Sequence, residues 1–379
     1  MLNRRPESIF DLLDILKEKG VHQEEYWKYI TTFLENKARR LHIPIHGNFE
    51  LTPLCNFNCK MCYVHLSNEQ FDTSNLLQVT QWMDLANQAQ KAGMRSVTLT
   101  GGECLTYPGF DELYTKLVLA GLKVGIQSNG YYINEKHIKL FEKYSLSGIR
   151  ITLYGSNNDS YESVTGVRAF TQVYNNILKL RDAGLDVTIS ITPNSYSGDD
   201  IIDLIDLVEE MHIHYEINPW LMTPRENTGR KKDDLSMDNY LKIYHHLSEI
   251  NHKVVKPVDW NDIPEENHSE NQCFGVRCGA GRSAFGIKYD GSMCPCLSLD
   301  DISFKPLIIG FEKAWHQINV AVESYPIPLE CGDCVFRMQC LSCIAIHKKV
   351  LNDGHCDPMV CKRVKLLVKE GFISLQNSC

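Results

Sequence analysis

The sequence predicts an α/β fold: a partial (β/α)6, TIM-like barrel with a helical lead-in and a small cysteine-rich C-terminal domain. Three observations carry this. From Gly47 onward, short apolar runs alternate with segments of helical periodicity, the pattern of parallel strands joined by crossover helices. Six such units fit before residue 219, short of the eight of a closed barrel, so the sheet is expected to be curved and partly open. The fifteen cysteines are also unevenly placed, with Cys55, Cys59 and Cys62 near the front, Cys104 alone, and eleven from Cys273 to the C-terminus.

Residues 1–45 read as amphipathic helix, with Phe10, Leu13 and Leu16 on one stripe and Trp27, Ile30 and Leu34 repeating it before Ala38 and Leu41. The barrel is expected over 46–252, with strands at 49–52, 96–100, 124–128, 149–153, 187–191 and 215–218. Between them lie helices whose apolar stripes are core. One carries Trp82, Leu85, Ala86, Ala89 and Ala92 and stops at Gly93; another carries Phe170, Val173, Ile177 and Leu180 and stops at Gly184. Glycine there supplies a left-handed cap. A third stripe runs through Ile201, Leu204, Ile205, Val208 and Met211. The basic run Arg225, Arg230, Lys231 and Lys232, followed at once by Asp233 and Asp234, reads as a solvated loop. A helix over 237–250 carries His245 and His246 as surface residues, a linker spans 253–272, and the cysteine-rich domain occupies 273–379.

Composition narrows the functional classes. Hydrophobic content of 43% and charged content of 23% are ordinary for a globular chain of 379 residues, and no apolar stretch is long enough to cross a bilayer. The net charge of -8 argues against a nucleic-acid backbone as main partner. The first residues lack the apolar core of a secretion signal, so a cytoplasmic location is expected. Fifteen cysteines in such a compartment are reduced, and metal ligation rather than a disulfide framework explains them.

The sharpest motif is Cys55-Asn-Phe-Asn-Cys59-Lys-Met-Cys62-Tyr63. The spacing C-x3-C-x2-C lets one loop bring three sulfurs to a point, as a cubane cluster requires, and leaves one iron open. A partial zinc site or three structural thiols are the bland alternatives. With its aromatic Tyr63 after the third cysteine, the motif resembles that of the radical S-adenosylmethionine (radical SAM) superfamily. The resemblance implies a partial barrel, a [4Fe–4S] cluster on Cys55, Cys59 and Cys62, and S-adenosylmethionine on the open iron. Gly101-Gly102-Glu103, after the second strand, is similar to the segment that meets the methionine amino group, with Cys104 where proline is usual; Cys104 itself reads as a buried, inert thiol. Ser128 and Asn129 resemble the ribose-contacting turn, and Thr152 the hydroxyl residue of the fourth strand. The adenine would meet backbone at Tyr63 and a side chain near Ile191.

Behind the barrel, Cys278, Gly291-x4-Cys296, Cys331-x2-Cys334-x5-Cys340-x2-Cys343 and Cys361 resemble the SPASM extension, although two residues rather than three separate Cys340 from Cys343. The resemblance implies two auxiliary [4Fe–4S] clusters, one on Cys273, Cys278, Cys296 and Cys343 and one on Cys331, Cys334, Cys340 and Cys361, leaving Cys294, Cys356 and Cys379 spare. Cys356 could replace Cys361, and a pair of zinc knuckles is the structural alternative. It further implies a ribosomally made peptide or a protein side chain as substrate and a reductant such as flavodoxin or ferredoxin. A small-molecule dehydrogenase or mutase, or a non-catalytic metalloprotein, are the competing readings. No acid–base dyad or nucleophilic triad has persuasive spacing.

Overall fold

Hydrophobic alternation along five- and six-residue runs places one parallel sheet at the centre of the molecule. The computed structural model describes residues 7–67, 69–198, 200–218, 221–225, 234–251, 275–332, 334–337, 340, 343–347 and 355–373. Its strands are β1 (His46–Glu50), β2 (Ser96–Thr100), β3 (Lys123–Ser128), β4 (Gly148–Thr152), β5 (Val187–Ile191), β6 (His214–Ile217), β7 (Ala284–Ile287) and β8 (Met293–Cys294). They form one sheet in the order β6-β5-β4-β3-β2-β1-β7-β8, all neighbours parallel except β7 and β8. The six expected units are present and in sequence order, as right-handed crossover connections between adjacent parallel strands dictate.

Two helices precede the sheet, α1 (Ile9–Glu18) and α2 (Tyr26–Arg40). Between and beyond the strands lie α3 (Val79–Ala92), α4 (Phe110–Leu119), α5 (Glu135–Lys143), α6 (Asn158–Thr165), α7 (Phe170–Asp182), α8 (Asp200–Glu210), α9 (Met237–Ile250), α10 (Pro306–Ile309), α11 (Phe311–Glu323) and α12 (Pro358–Lys369). The expected stripes on α3, α7 and α8 are buried except for Ala92 and Phe170, which are half-buried, and Trp82 of α3 stacks on Phe49 of β1 at 4.9 Å. His46 and Asn48 hide the start of β1 from a pattern search, so the first strand begins three residues before the expected 49.

Two further expectations are corrected. In α1 the buried residues are Leu12, Ile15 and Leu16, while Phe10 is 78% exposed; in α2 only Ala38 is buried and Trp27 is 63% exposed. Spacing alone does not say which side of a helix is covered, and in α1 that side carries Leu12, Ile15 and Leu16 rather than Phe10 and Leu13. Arg225 is not solvated: its side chain is 11% exposed and bound to carboxylates described below. Arg230, Lys231, Lys232 and the linker at 253–272 lie outside the described residues. No helix among the described residues is long and apolar enough to cross a membrane.

Register brings the C-terminal ends of the strands to one rim. Glu50 is paired with Thr100, Ser128 with Ile151, Thr152 with Ser190 and Ile191 with Ile217. That rim is where parallel barrels carry their sites.

Candidate functional site

The chain leaving β1 continues along β2 rather than turning away: Leu51 N donates to Thr100 O (2.8 Å), Gly102 N to Thr52 O (2.8 Å) and Glu103 N to Leu54 O (2.9 Å). This close approach is what makes residues 101 and 102 glycine. A Cβ on Gly101 would lie 2.5 Å from Thr52 O, and one on Gly102 2.3 Å from Leu54 O. Further along, Asn58 N and Lys60 N donate to Thr165 O and Val164 O at the end of α6, which fixes the cysteine loop from the other side.

Three thiols converge in that loop, Cys59 buried and Cys55 and Cys62 half-buried, all unpaired by disulfides. Cys55 Sγ accepts from Phe57 N at 3.3 Å and from Asn129 Nδ2 at 3.6 Å; Cys62 Sγ accepts from His65 N at 3.3 Å. Burial pushes the Cys55 thiol up to about 12, opposed by the Phe57 N–H and reinforced by the neighbouring Glu103 and Cys62. Burial, then Cys59, Tyr161, Cys62 and Cys55, drives the Tyr154 phenol well above its ordinary range, so all three sulfurs act on one ring. Tyr161 and Phe57 complete an aromatic wall, with ring centroids 5.7 Å apart for Tyr154 and Tyr161 and 5.9 Å for Phe57 and Tyr161.

Glu103 is 1% exposed. Its carboxylate accepts from Leu105 N (3.0 Å) and Ser128 Oγ (2.9 Å) on Oε1 and from Asn129 N (2.7 Å) on Oε2. No cation pairs with it among the described residues, and burial raises its pKa despite those donors. Asn129 Nδ2 donates to Asn56 Oδ1 at 2.8 Å, so the turn after β3 is tied to Glu103 and to the cysteine loop at once. Thr152 is half-buried at the end of β4; Ile191 is fully buried in the core and its backbone oxygen accepts from Asn218 N at 2.8 Å. Cys104 is fully buried, its Sγ donating to Gln127 O at 3.3 Å.

Residues 49–208 match the Radical SAM superfamily. The chain carries a radical SAM domain. Over a longer stretch, the chain is 26% identical over 266 residues to the sporulation killing factor maturation protein SkfB of Bacillus subtilis (strain 168), covering 69% of this chain and 62% of that one. It is 24% identical over 290 residues to the antilisterial bacteriocin subtilosin biosynthesis protein AlbA of the same organism, covering 76% and 62%. It thus spans less than two thirds of the length of both relatives. In fold it resembles Streptococcus suis SuiB bound to precursor peptide SuiA, with a TM-score of 0.63 at 16% identity over 92% of this chain and 87% of that one.

The match of residues 49–208 to the radical SAM superfamily implies a [4Fe–4S] cluster and S-adenosylmethionine as cofactors. The donor set fits both. Cys55, Cys59 and Cys62 share one loop with no disulfide among them, and three such sulfurs are the ligands an iron–sulfur cluster takes. A buried carboxylate with three N–H and O–H donors and no cation has the polarity to take an ammonium group.

The radical SAM domain is joined to the rear cysteines by a network that the sequence did not reveal. Glu50, 0% exposed at the end of β1, receives both Nη1 (2.9 Å) and Nη2 (2.8 Å) of Arg225. Arg225 Nη2 also donates to Leu297 O (3.1 Å), its Nε lies 3.4 Å from Asp300, and Lys288 lies 3.5 Å from the same carboxylate. The Arg225 N–H donates to Tyr63 O at 3.3 Å. Burial raises the Tyr63 phenol to about 12, Glu50 adds to that and Arg225 opposes it, with smaller contributions from Cys62 and Cys296. The only hint in the sequence was an acidic residue set between Phe49 and Leu51.

Cys343 and Cys278 lie close enough to act on Cys296: burial raises Cys296 to about 12, followed by Cys343 and, more weakly, Cys278. Cys273 lies outside the described residues. A cavity is lined by Cys331, Cys334, Cys340, Cys356 and Cys361 beside His347. There Cys356 Sγ is 3.0 Å from Cys361 Sγ and 3.7 Å from His347 Nδ1, so the structure brings a fifth thiol to a site for which the sequence suggested four. Cys294, in β8, is buried apart from it, with Sγ 3.6 Å from Gly286 O, and Cys379 is outside the described residues.

Proposed function

We propose that this chain is a radical SAM enzyme that modifies a ribosomally made peptide. The observation that carries the reading is the convergence, on one rim of the sheet, of the three front thiols with an uncompensated buried carboxylate. Killing-factor maturation and bacteriocin biosynthesis, named for the two relatives, support a peptide as substrate. A cytoplasmic setting, where thiols stay reduced, suits it.

When bound, the cluster and S-adenosylmethionine supply a 5′-deoxyadenosyl radical that removes a hydrogen atom from substrate. The chain's own groups hold and orient. Cys55, Cys59 and Cys62 are the ligands, leaving one iron open. Glu103 takes the methionine ammonium, while Gly101 and Gly102 keep that carboxylate seated against the cysteine loop. Ser128 and Asn129 at the ribose, Thr152 at the fourth strand, and the backbone at Tyr63 with a side chain near Ile191 at the adenine complete the cofactor site. Ser128 also fixes the Glu103 rotamer, and Tyr154, Tyr161 and Phe57 exclude water from the sulfurs.

Two auxiliary [4Fe–4S] clusters belong to the rear cysteines, one on Cys273, Cys278, Cys296 and Cys343, the other on Cys331, Cys334, Cys340 and Cys361. Held there, such clusters would supply either an acceptor for the electron left by an oxidised substrate or a site that binds the substrate, with a reductant such as flavodoxin or ferredoxin. Anaerobic reconstitution tests this. About twelve irons per chain and release of 5′-deoxyadenosine are expected, assuming four irons per cluster. Cys59→Ala should abolish nucleoside release and retain the rear iron. A protein that binds mainly zinc and releases no nucleoside would defeat the reading.

A further inference from the structure

Asn129 stands where the Glu103 carboxylate meets the cysteine loop. It is 6% exposed, and its backbone N–H is held by Glu103 Oε2 at 2.7 Å. Its Oδ1 accepts from Tyr131 N at 3.0 Å, which orients the amide so that Nδ2 faces Asn56 Oδ1 at 2.8 Å and Cys55 Sγ at 3.6 Å. As a thiol, Cys55 points its proton toward Asn56 Oδ1, 3.9 Å away. As a thiolate it can only accept, and its donors are then Phe57 N at 3.3 Å and Asn129 Nδ2. Phe57 N is backbone, so Asn129 is the side chain through which sequence adjusts that sulfur.

We propose that Asn129 is a positioning residue that donates to the Cys55 thiolate and so sets the reduction potential of the iron–sulfur centre on the front loop. The inference rests on the ligand reading given under Proposed function. A donor at a ligand sulfur stabilises the electron-richer oxidation state more than the electron-poorer one, so it raises the potential. Asn56 Oδ1 holds the amide at 2.8 Å while the sulfur stands 3.6 Å away, so Asn56 draws the donor off Cys55 and the two asparagines act in opposite directions. Glu103 anchors the donor through main chain, and this anchor survives any change of the Asn129 side chain.

The test is an EPR-monitored potentiometric titration of the anaerobically reconstituted full chain. Asn129→Ala and Asn129→Asp should both move the front centre to lower potential. The aspartate should move it further, because it keeps the acceptor for Tyr131 and puts an anion where the donor was. Asn56→Ala, which releases Nδ2 toward the sulfur, should move it the other way, and it carries the test if the Asn129 variants do not fold. The signals of the rear centres should not move. An unchanged front potential in the Asn129 variants, or a shift of the same sign in all three, overturns the inference while leaving the ligand reading intact. If Cys59→Ala loses no iron from the parent protein, there is no front centre and both fall.

Discussion

Replacing Arg225 by methionine removes the positive partner of a carboxylate that has no access to water. Glu50 is 0% exposed and Arg225 11%, and two of the guanidinium nitrogens sit at 2.8 and 2.9 Å from the carboxylate oxygens. Burial works against the arginine charge, and the Glu50 hydrogen bonds and charge more than restore it. Breaking such a pair from one side costs about 3–5 kcal/mol, since the remaining charge stays buried. Asp300 would still have Lys288 at 3.5 Å, so the loss concentrates on Glu50 and on the Leu297 carbonyl. Replacing both partners, as Glu50→Gln with Arg225→Met, leaves neutral groups of similar size, and the double variant should recover all but about 1–2 kcal/mol. Urea unfolding of wild type, both single variants and the double variant gives the coupling directly, with a midpoint drop on the order of 1 M for Arg225→Met at a slope of about 3 kcal/mol/M. An Arg225→Met protein within about 1 kcal/mol of wild type, or a double variant that simply sums the two losses, would refute the argument that this pair is buried and coupled.

Three further outcomes follow from the site. Gly102→Ala places a Cβ 2.3 Å from Leu54 O and 2.7 Å from Pro53 O; backbone cannot yield as a side-chain tip would, so thermal denaturation should show a loss of at least about 1–3 kcal/mol. In the chain without cofactors, the raised pKa of Glu103 makes wild type lose stability relative to Glu103→Gln as pH climbs from the unfolded carboxylate pKa to the folded one, by at most about 1.4 kcal/mol per pH unit. Denaturant titrations from pH 4 to pH 8 read that difference, and a flat difference would show that the carboxylate is not penalised. The Tyr161 hydroxyl is buried with no hydrogen-bond partner among the described residues, so Tyr161→Phe should stabilise the same cofactor-free chain by about 1 kcal/mol, and a clear loss would mean that the hydroxyl is satisfied there.

Several of these groups were legible before any coordinates. Cys55, Cys59 and Cys62 are neighbours in sequence, so loop geometry alone gathers their sulfurs, and strands such as β2, β4 and β5 announce themselves because every second residue is apolar and buried. Cys104 read as a buried thiol and is one. Helix α9 fell on the expected residues, and His245 is exposed, whereas His246 pairs with Asp206 at 2.6 Å. By contrast, β7 pairs with β1 although more than two hundred residues separate them, and the eight-residue spacing of Gly286 from Cys294 gave no sign that the C-terminal part would extend the barrel sheet.

What the sequence determined by itself is local: periodicity chooses helix or strand, glycine ends helices, and closely spaced thiols share a loop. Tertiary structure decided everything that depends on residues distant along the chain. It turned Arg225 from an apparent surface charge into the partner of Glu50, directed the Asn129 amide at Cys55, and brought Cys356 to Cys361 beside His347. The physical reason is that the cost of burying a charge or a polar group is settled by whichever partner the fold brings within hydrogen-bond reach, and spacing along the chain carries no record of that partner.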